Sequence, residues 1–83
     1  MTVNDFMKTV NSVAHATWNG EQIHVYSSEE ADLDNWVLSL DPSQQSLDAL
    51  LSWTGFNIEP QKIRVVMNAL TELLLTPIED RSL

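Results

Sequence analysis

Val13-Ala14-His15-Ala16-Thr17-Trp18-Asn19-Gly20-Glu21-Gln22-Ile23-His24-Val25-Tyr26 is the stretch on which the fold turns. Two runs with apolar residues at alternate positions flank Asn19-Gly20, a dipeptide suited to a type I′ turn because both central residues tolerate positive φ. The stretch therefore reads as a β-hairpin with strands over residues 13–18 and 21–26. A two-residue turn would pair Trp18 with Glu21, Ala16 with Ile23 and Ala14 with Val25 on one mostly apolar face. The opposite, wet face would carry Thr17 with Gln22, His15 with His24 and Val13 with Tyr26.

Working outward toward the N-terminus, Thr2-Val3-Asn4-Asp5 fits a capping box with Asp in place of Glu. Val3, Phe6, Met7 and Val10 follow at helical spacing, so a short helix is expected over residues 3–11. On the other side, residues 27–34 form a polar, acidic connection. Asn35-Trp36-Val37-Leu38-Ser39-Leu40 reads as a third strand with Trp36, Leu38 and Leu40 on one face. Asp41-Pro42-Ser43-Gln44 can open a helix, with Asp41 as cap and Pro42 in the first turn. Leu47, Leu50, Leu51 and Thr54 would be its inner stripe, and Gly55 its end. Pro60 opens a last helix with Ile63, Val66, Met67, Leu70, Leu73 and Leu74 as an apolar face, stopped at Thr76-Pro77. A rival reading pairs residues 56–58 with 62–66 as a second hairpin, favoured by the β-branched run near Val65. The helix is preferred, and the tail from Ile78 is expected to be loose. The expected fold is α+β: a short N-terminal helix, an antiparallel three-stranded sheet with an Asn-Gly hairpin, and two C-terminal helices packed on one face. Residues 1–83 make one domain.

Composition narrows the function classes. With 43% hydrophobic residues in 83 the chain is not of disordered composition, and with no cysteine it has neither disulfides nor a thiolate metal site. No apolar run is long enough to span a membrane, no N-x-S/T acceptor occurs, and Met1-Thr2-Val3-Asn4-Asp5 does not resemble a signal peptide. A cytoplasmic protein is expected. The net charge is −8, and no Lys or Arg falls between Lys8 and Lys62. Such an interval repels phosphate backbones and anionic lipid and attracts basic partners, or else it serves solubility alone.

Catalytic and cofactor signals are missing from the sequence. Both glycines are accounted for by a turn and a cap, which leaves no phosphate-cradling loop. Glu29, Glu30, Asp32 and Asp34 lack the central Gly and terminal Glu of a calcium loop. His15 and His24 could face each other across the hairpin, yet two imidazoles fall short of a metal site. No enzyme, cofactor or metal is expected. The candidate partner-binding residues are Glu29, Glu30, Asp32, Asp34, Asp41 and Asp48, with Trp53 as an exposed aromatic beside them. Trp18 and Trp36 are expected to build the core.

The opening Thr2-Val3-x-Asp5-Phe6 before a hairpin resembles the start of small phage and prophage accessory proteins of Firmicutes. The close, Leu75-Thr76-Pro77-Ile78-Glu79-Asp80-Arg81, is similar to tails of such proteins from lactic acid bacteria. The resemblance covers about a quarter of the chain and brings no catalytic residues with it. Phage proteins of this size and charge include inhibitors of host defence nucleases, anti-CRISPR proteins and DNA mimics among them. The resemblance implies an accessory gene of a mobile element, and the analogy of size and charge, with the long acidic interval, leads to the expectation of an acidic inhibitor whose partner is a basic, nucleic-acid-handling host protein. The alternative is a self-associating structural or regulatory accessory protein, a homodimer through the last helix, with acidity serving solubility.

Overall fold

A computed structural model describes residues 1–30, 34–44, 46–54 and 57–82. Helix α1 spans Val3–Asn11, and its cap follows the expectation: Thr2 Oγ1 accepts from the Asp5 amide and Asp5 Oδ2 accepts from the Thr2 amide. That reciprocal pair satisfies two amides that the helix itself leaves open. Val3, Phe6 and Val10 are buried, as their spacing requires.

Strands β1 (His15–Trp18) and β2 (Ile23–Tyr26) form the hairpin, but Trp18 pairs with Ile23, so four residues connect them and not two. The reason lies in the Asn19 side chain. Its Oδ1 accepts from the amides of Glu21 and Gln22, at 2.9 and 2.8 Å, and this bridges a wider loop. Only the positive φ of +94° at Gly20 remains from the expected turn chemistry. The register therefore shifts by two residues, and since a strand repeats every two, each side chain keeps its face. Ala16, Trp18, Ile23 and Val25 stay inward. His15 now lies opposite Tyr26, and His24 opposite Thr17, so the expected His15–His24 pair does not form.

Strand β3 (Trp36–Leu40) pairs with β2, with a bulge between the Val25–Leu38 and Tyr26–Trp36 pairs. The extra residue lets Val37 and Leu38 both be fully buried, and it carries Trp36 to the face of His15 and Tyr26. Trp36 therefore does not share a face with Leu38 and Leu40, contrary to simple alternation.

The largest correction falls on residues 41–54, where one helix was expected. Asp41 Oδ1 accepts from the amide and hydroxyl of Ser43, which closes a tight turn and starts no α-helix. A single 3-10 turn over Ser46–Ala49 leads into a fourth strand, β4 (Leu50–Trp53), antiparallel to β3. Residues 37–40 of β3 are buried throughout, so this strand needs neighbours on both edges. The sheet is a four-stranded meander ordered β1-β2-β3-β4. Helix α2 (Pro60–Leu75) has Pro60 in its first turn and stops at Thr76, and the rival second hairpin is not formed. Asn57 Nδ2 donates to the Trp36 carbonyl at 2.7 Å and ties the start of α2 to β3. Val66, Ala69, Leu70 and Leu73 join Val3, Phe6, Val10 and the inner sheet face in one core.

The tail is docked, not loose. A short 3-10 turn over Ile78–Asp80 brings Arg81 back into the molecule, where it is 3% exposed. Its guanidinium donates to four backbone carbonyls: Thr76 at 2.7 Å, Leu74 at 3.0 Å, Gln44 at 2.8 Å and Pro42 at 3.1 Å. Leu74 and Thr76 lie at the C-terminal end of α2, where unpaired carbonyls favour a cation. The Arg81 carbonyl in turn accepts from the Val3 amide at 2.7 Å, which links tail and α1.

Candidate functional site

Strand pairing sorts the sheet into rows. Ala16, Val25, Leu38 and Trp53 form one inward row, and Trp18, Ile23, Leu40 and Leu50 the next. The outer face has the rows His15-Tyr26-Trp36 and Thr17-His24-Ser39-Ser52. His15 and Tyr26 stack at a tilt with ring centroids 6.4 Å apart, and the hydroxyls of Ser39 and Ser52 bond at 3.0 Å. Neither row contains an Asp, Glu, Lys or Arg.

The expected acidic residues do not form one surface. Glu29, Glu30 and Asp34 are exposed in the connection between β2 and β3, and Asp32 lies outside the described residues. Asn35 Nδ2 donates to both the carbonyl and Oε2 of Glu30, which orients that carboxylate in the connection. Asp41 and Asp48 sit at the opposite end of β3, where the Asp41 amide bonds the Ala49 carbonyl at 2.7 Å. Glu21, in the hairpin loop, joins them at this end. At about 3.3 Å per residue, the length of β3 keeps the two acidic ends roughly 13 Å apart or more.

These carboxylates differ in their attachments. The Ser43 hydroxyl, then the Ser43 amide, hold the Asp41 carboxyl below the ordinary carboxylate range. Its Oδ1 is thus committed to the local turn. Asp48 is exposed on the first turn of its 3-10 segment. Trp53 is 50% exposed at the margin of the inner face because β4 is the sheet edge, and Leu51, at the irregular step between Ser39 and Leu40, is 46% exposed. The edge strand thus offers two large apolar side chains, of which sequence reasoning named only Trp53. Its helical placement would have set Leu51 inward.

Cations are segregated from this layer. Lys8 lies on α1, Lys62 and Arg64 on α2, and Arg81 is withdrawn into the interior. The sequence thus sets twelve acidic side chains against Lys8, Lys62 and Arg64 as the cations not withdrawn into the interior.

One feature had no signal in the sequence. Val3, Trp18, Pro42, Ser43, Ile78, Arg81 and Ser82 line a mainly apolar cleft of about 320 Å³. A second hollow of about 320 Å³, lined by Gly20, Glu21, Gln22 and Asp41, shares Trp18, Pro42 and Ser43 with it. Residues from four distant parts of the chain meet here, so no local pattern announces it.

The fold and these surfaces define an α+β protein in which a four-stranded antiparallel meander carries two helices on one face. No described helix is long and apolar enough to cross a membrane. No family model, no curated protein and no solved structure matches the chain.

Proposed function

We propose that this protein is a non-catalytic binding module that engages a basic protein partner through its sheet layer. One observation carries the reading. From β1 to β4 the chain has no Lys or Arg, while Glu21, Glu29, Glu30, Asp34 and Asp48 are exposed there. With no Lys or Arg among them, these carboxylates at the two ends of the sheet make a field that steers a positively charged partner. Leu51 and Trp53 supply the apolar contact that such steering needs to become affinity. The resemblance to phage accessory proteins suggests the partner class: a cytoplasmic host protein that handles nucleic acid, blocked in the manner of an anti-CRISPR protein or DNA mimic. In that version the carboxylates at the two ends of the sheet occupy phosphate positions.

A second reading, self-association, draws support from a different place than the sequence suggested. On α2, Val65 is half-buried and Ala69 buried, which leaves Leu75 as its one strongly exposed apolar side chain. The exposed pair on edge strand β4 is the better candidate for a homodimer contact. Light scattering at high concentration separates the two, since a strict monomer excludes this alternative.

The basic-partner reading is tested with Glu29→Gln, Glu30→Gln, Asp32→Asn and Asp34→Asn combined. These changes remove four charges at nearly constant shape. The wild type is expected to retain basic nucleic-acid-binding proteins from a bacterial lysate at low salt, and the variant to retain less, with a flatter salt dependence. Identical capture at every salt concentration would reduce the acidic connection to a solubility device.

A further inference from the structure

We infer that the cleft at the hairpin end of the sheet receives a basic side chain of the partner, together with an adjoining apolar residue. This rests on the basic-partner reading and names the place and chemistry of the contact. The two hollows differ in character along one line. The first presents Val3, Trp18, Pro42 and Ile78, an apolar wall. The second adds Glu21 and Asp41 to the shared Trp18 and Pro42. A ligand lying across both meets apolar surface at one end and two carboxylates at the other.

Arginine and lysine have this profile, an aliphatic stem with a cationic head. Trp18 adds an aromatic wall, which a guanidinium favours over a neutral amide. The volume is at the low end for ligand pockets and suits one or two side chains rather than a large molecule. An anion is disfavoured. The single cation on the wall, Arg81, has its guanidinium directed at the carbonyls of Pro42, Gln44, Leu74 and Thr76, whereas the Glu21 side chain is exposed. Asp41 is ionised at neutrality, as an aspartate ordinarily is, and the two bonds from Ser43 lower its pKa further and hold its carboxylate in place. The turn that replaced the expected helix start therefore also positions a negative charge at the mouth of the cleft.

The experiment is a chemical-shift titration of the isotope-labelled protein with acetylated leucyl-arginine amide. The uncharged leucyl-glutamine analogue is the control. Saturable shifts are expected at the Trp18 indole and at Gly20, Glu21, Gln22 and Ser43, weakening as salt rises. Exposed charge pairs contribute up to about fivefold each, so Glu21→Gln with Asp41→Asn should weaken binding about tenfold. Asp41→Asn keeps a side-chain oxygen for Ser43, and Glu21→Gln alone, at an exposed loop position, gives a readout that does not depend on the turn. Equal shifts with the glutamine analogue, or no saturable shift at these residues, would overturn the inference. Shifts gathered instead around Glu29, Glu30 and Asp34 would also overturn it while leaving the basic-partner reading in place. That reading fails separately, if the wild-type protein retains no basic protein from a lysate at low salt.

Discussion

Replacing Arg81 by Met tests how the chain is closed. Met keeps an apolar stem of similar reach and removes every donor. Four carbonyls, of Pro42, Gln44, Leu74 and Thr76, then lose their partner. A hydrogen bond from a charged group contributes about 1.5–3 kcal/mol, but four bonds to one guanidinium are not additive, and the carbonyls nearer the surface regain water. A net loss of about 3–5 kcal/mol follows, similar to breaking a buried ion pair. For 83 residues the whole stability is roughly 4–12 kcal/mol, so the loss is a large share of it. The assay is urea unfolding followed by far-ultraviolet circular dichroism. With a slope of about 1 kcal/mol per molar, the midpoint should fall by about 3 M or more. Arg81→Lys retains the charge without the planar fork and should fall between the two. A midpoint within about 1 M of wild type for Arg81→Met would show that the tail is not held by these bonds.

The other predictions concern the hairpin, the core and acid stability. Asn19→Ala removes the acceptor for the Glu21 and Gln22 amides and should lower stability by about 1 kcal/mol, read from the same urea curves; no change would mean the loop does not need the Asn19 side chain. Leu73→Ala, at a fully buried position of α2, should destabilise by about 2–5 kcal/mol by calorimetry, and a near-neutral result would contradict the packing of α2 on the sheet. Asp5 and Asp41 both titrate below the ordinary Asp value, Asp5 chiefly through the Thr2 amide and then its hydroxyl, Asp41 through Ser43. A lowered folded pKa stabilises above the unfolded value of about 4 and is lost as pH falls through the folded one. The melting temperature should therefore decline on acidification below about pH 4, and less steeply in Asp5→Asn with Asp41→Asn.

Local signals carried much of the fold. The capping box at Thr2 and Asp5, the run from Pro60 to Thr76 and the existence of the hairpin each depend on residues a few positions apart. What failed depended on partners far along the chain, or on a choice between two uses of one side chain. Asn19 was read for its tolerance of positive φ, and the structure uses it as an acceptor. Leu47, Leu50, Leu51 and Thr54 match helical spacing, yet residues 50–53 serve as a strand because β3 presents an open edge beside them, which no local window contains. Arg81 bonds the carbonyls of Pro42 and Gln44, 39 and 37 positions away, so its burial could not be read from the tail. For the candidate site, the residue types were legible and their grouping was not. Glu30 and Asp34 fall in one connection because they are near in sequence, whereas β3 sets Asp41 and Asp48 at its other end.

The three tryptophans have come to rest on three different surfaces. Trp18 walls the cleft, Trp36 stands on the outer sheet face with Tyr26, and Trp53 is half exposed at the β4 edge. Their emission thus forms a set of positional reporters. Variants that keep one indole and replace the other two by Phe would each fluoresce from a single surface. Acrylamide should quench Trp53 most strongly in the free protein. A bound molecule would then reveal which surface it covers by which of the three indoles becomes shielded, without a label having been introduced.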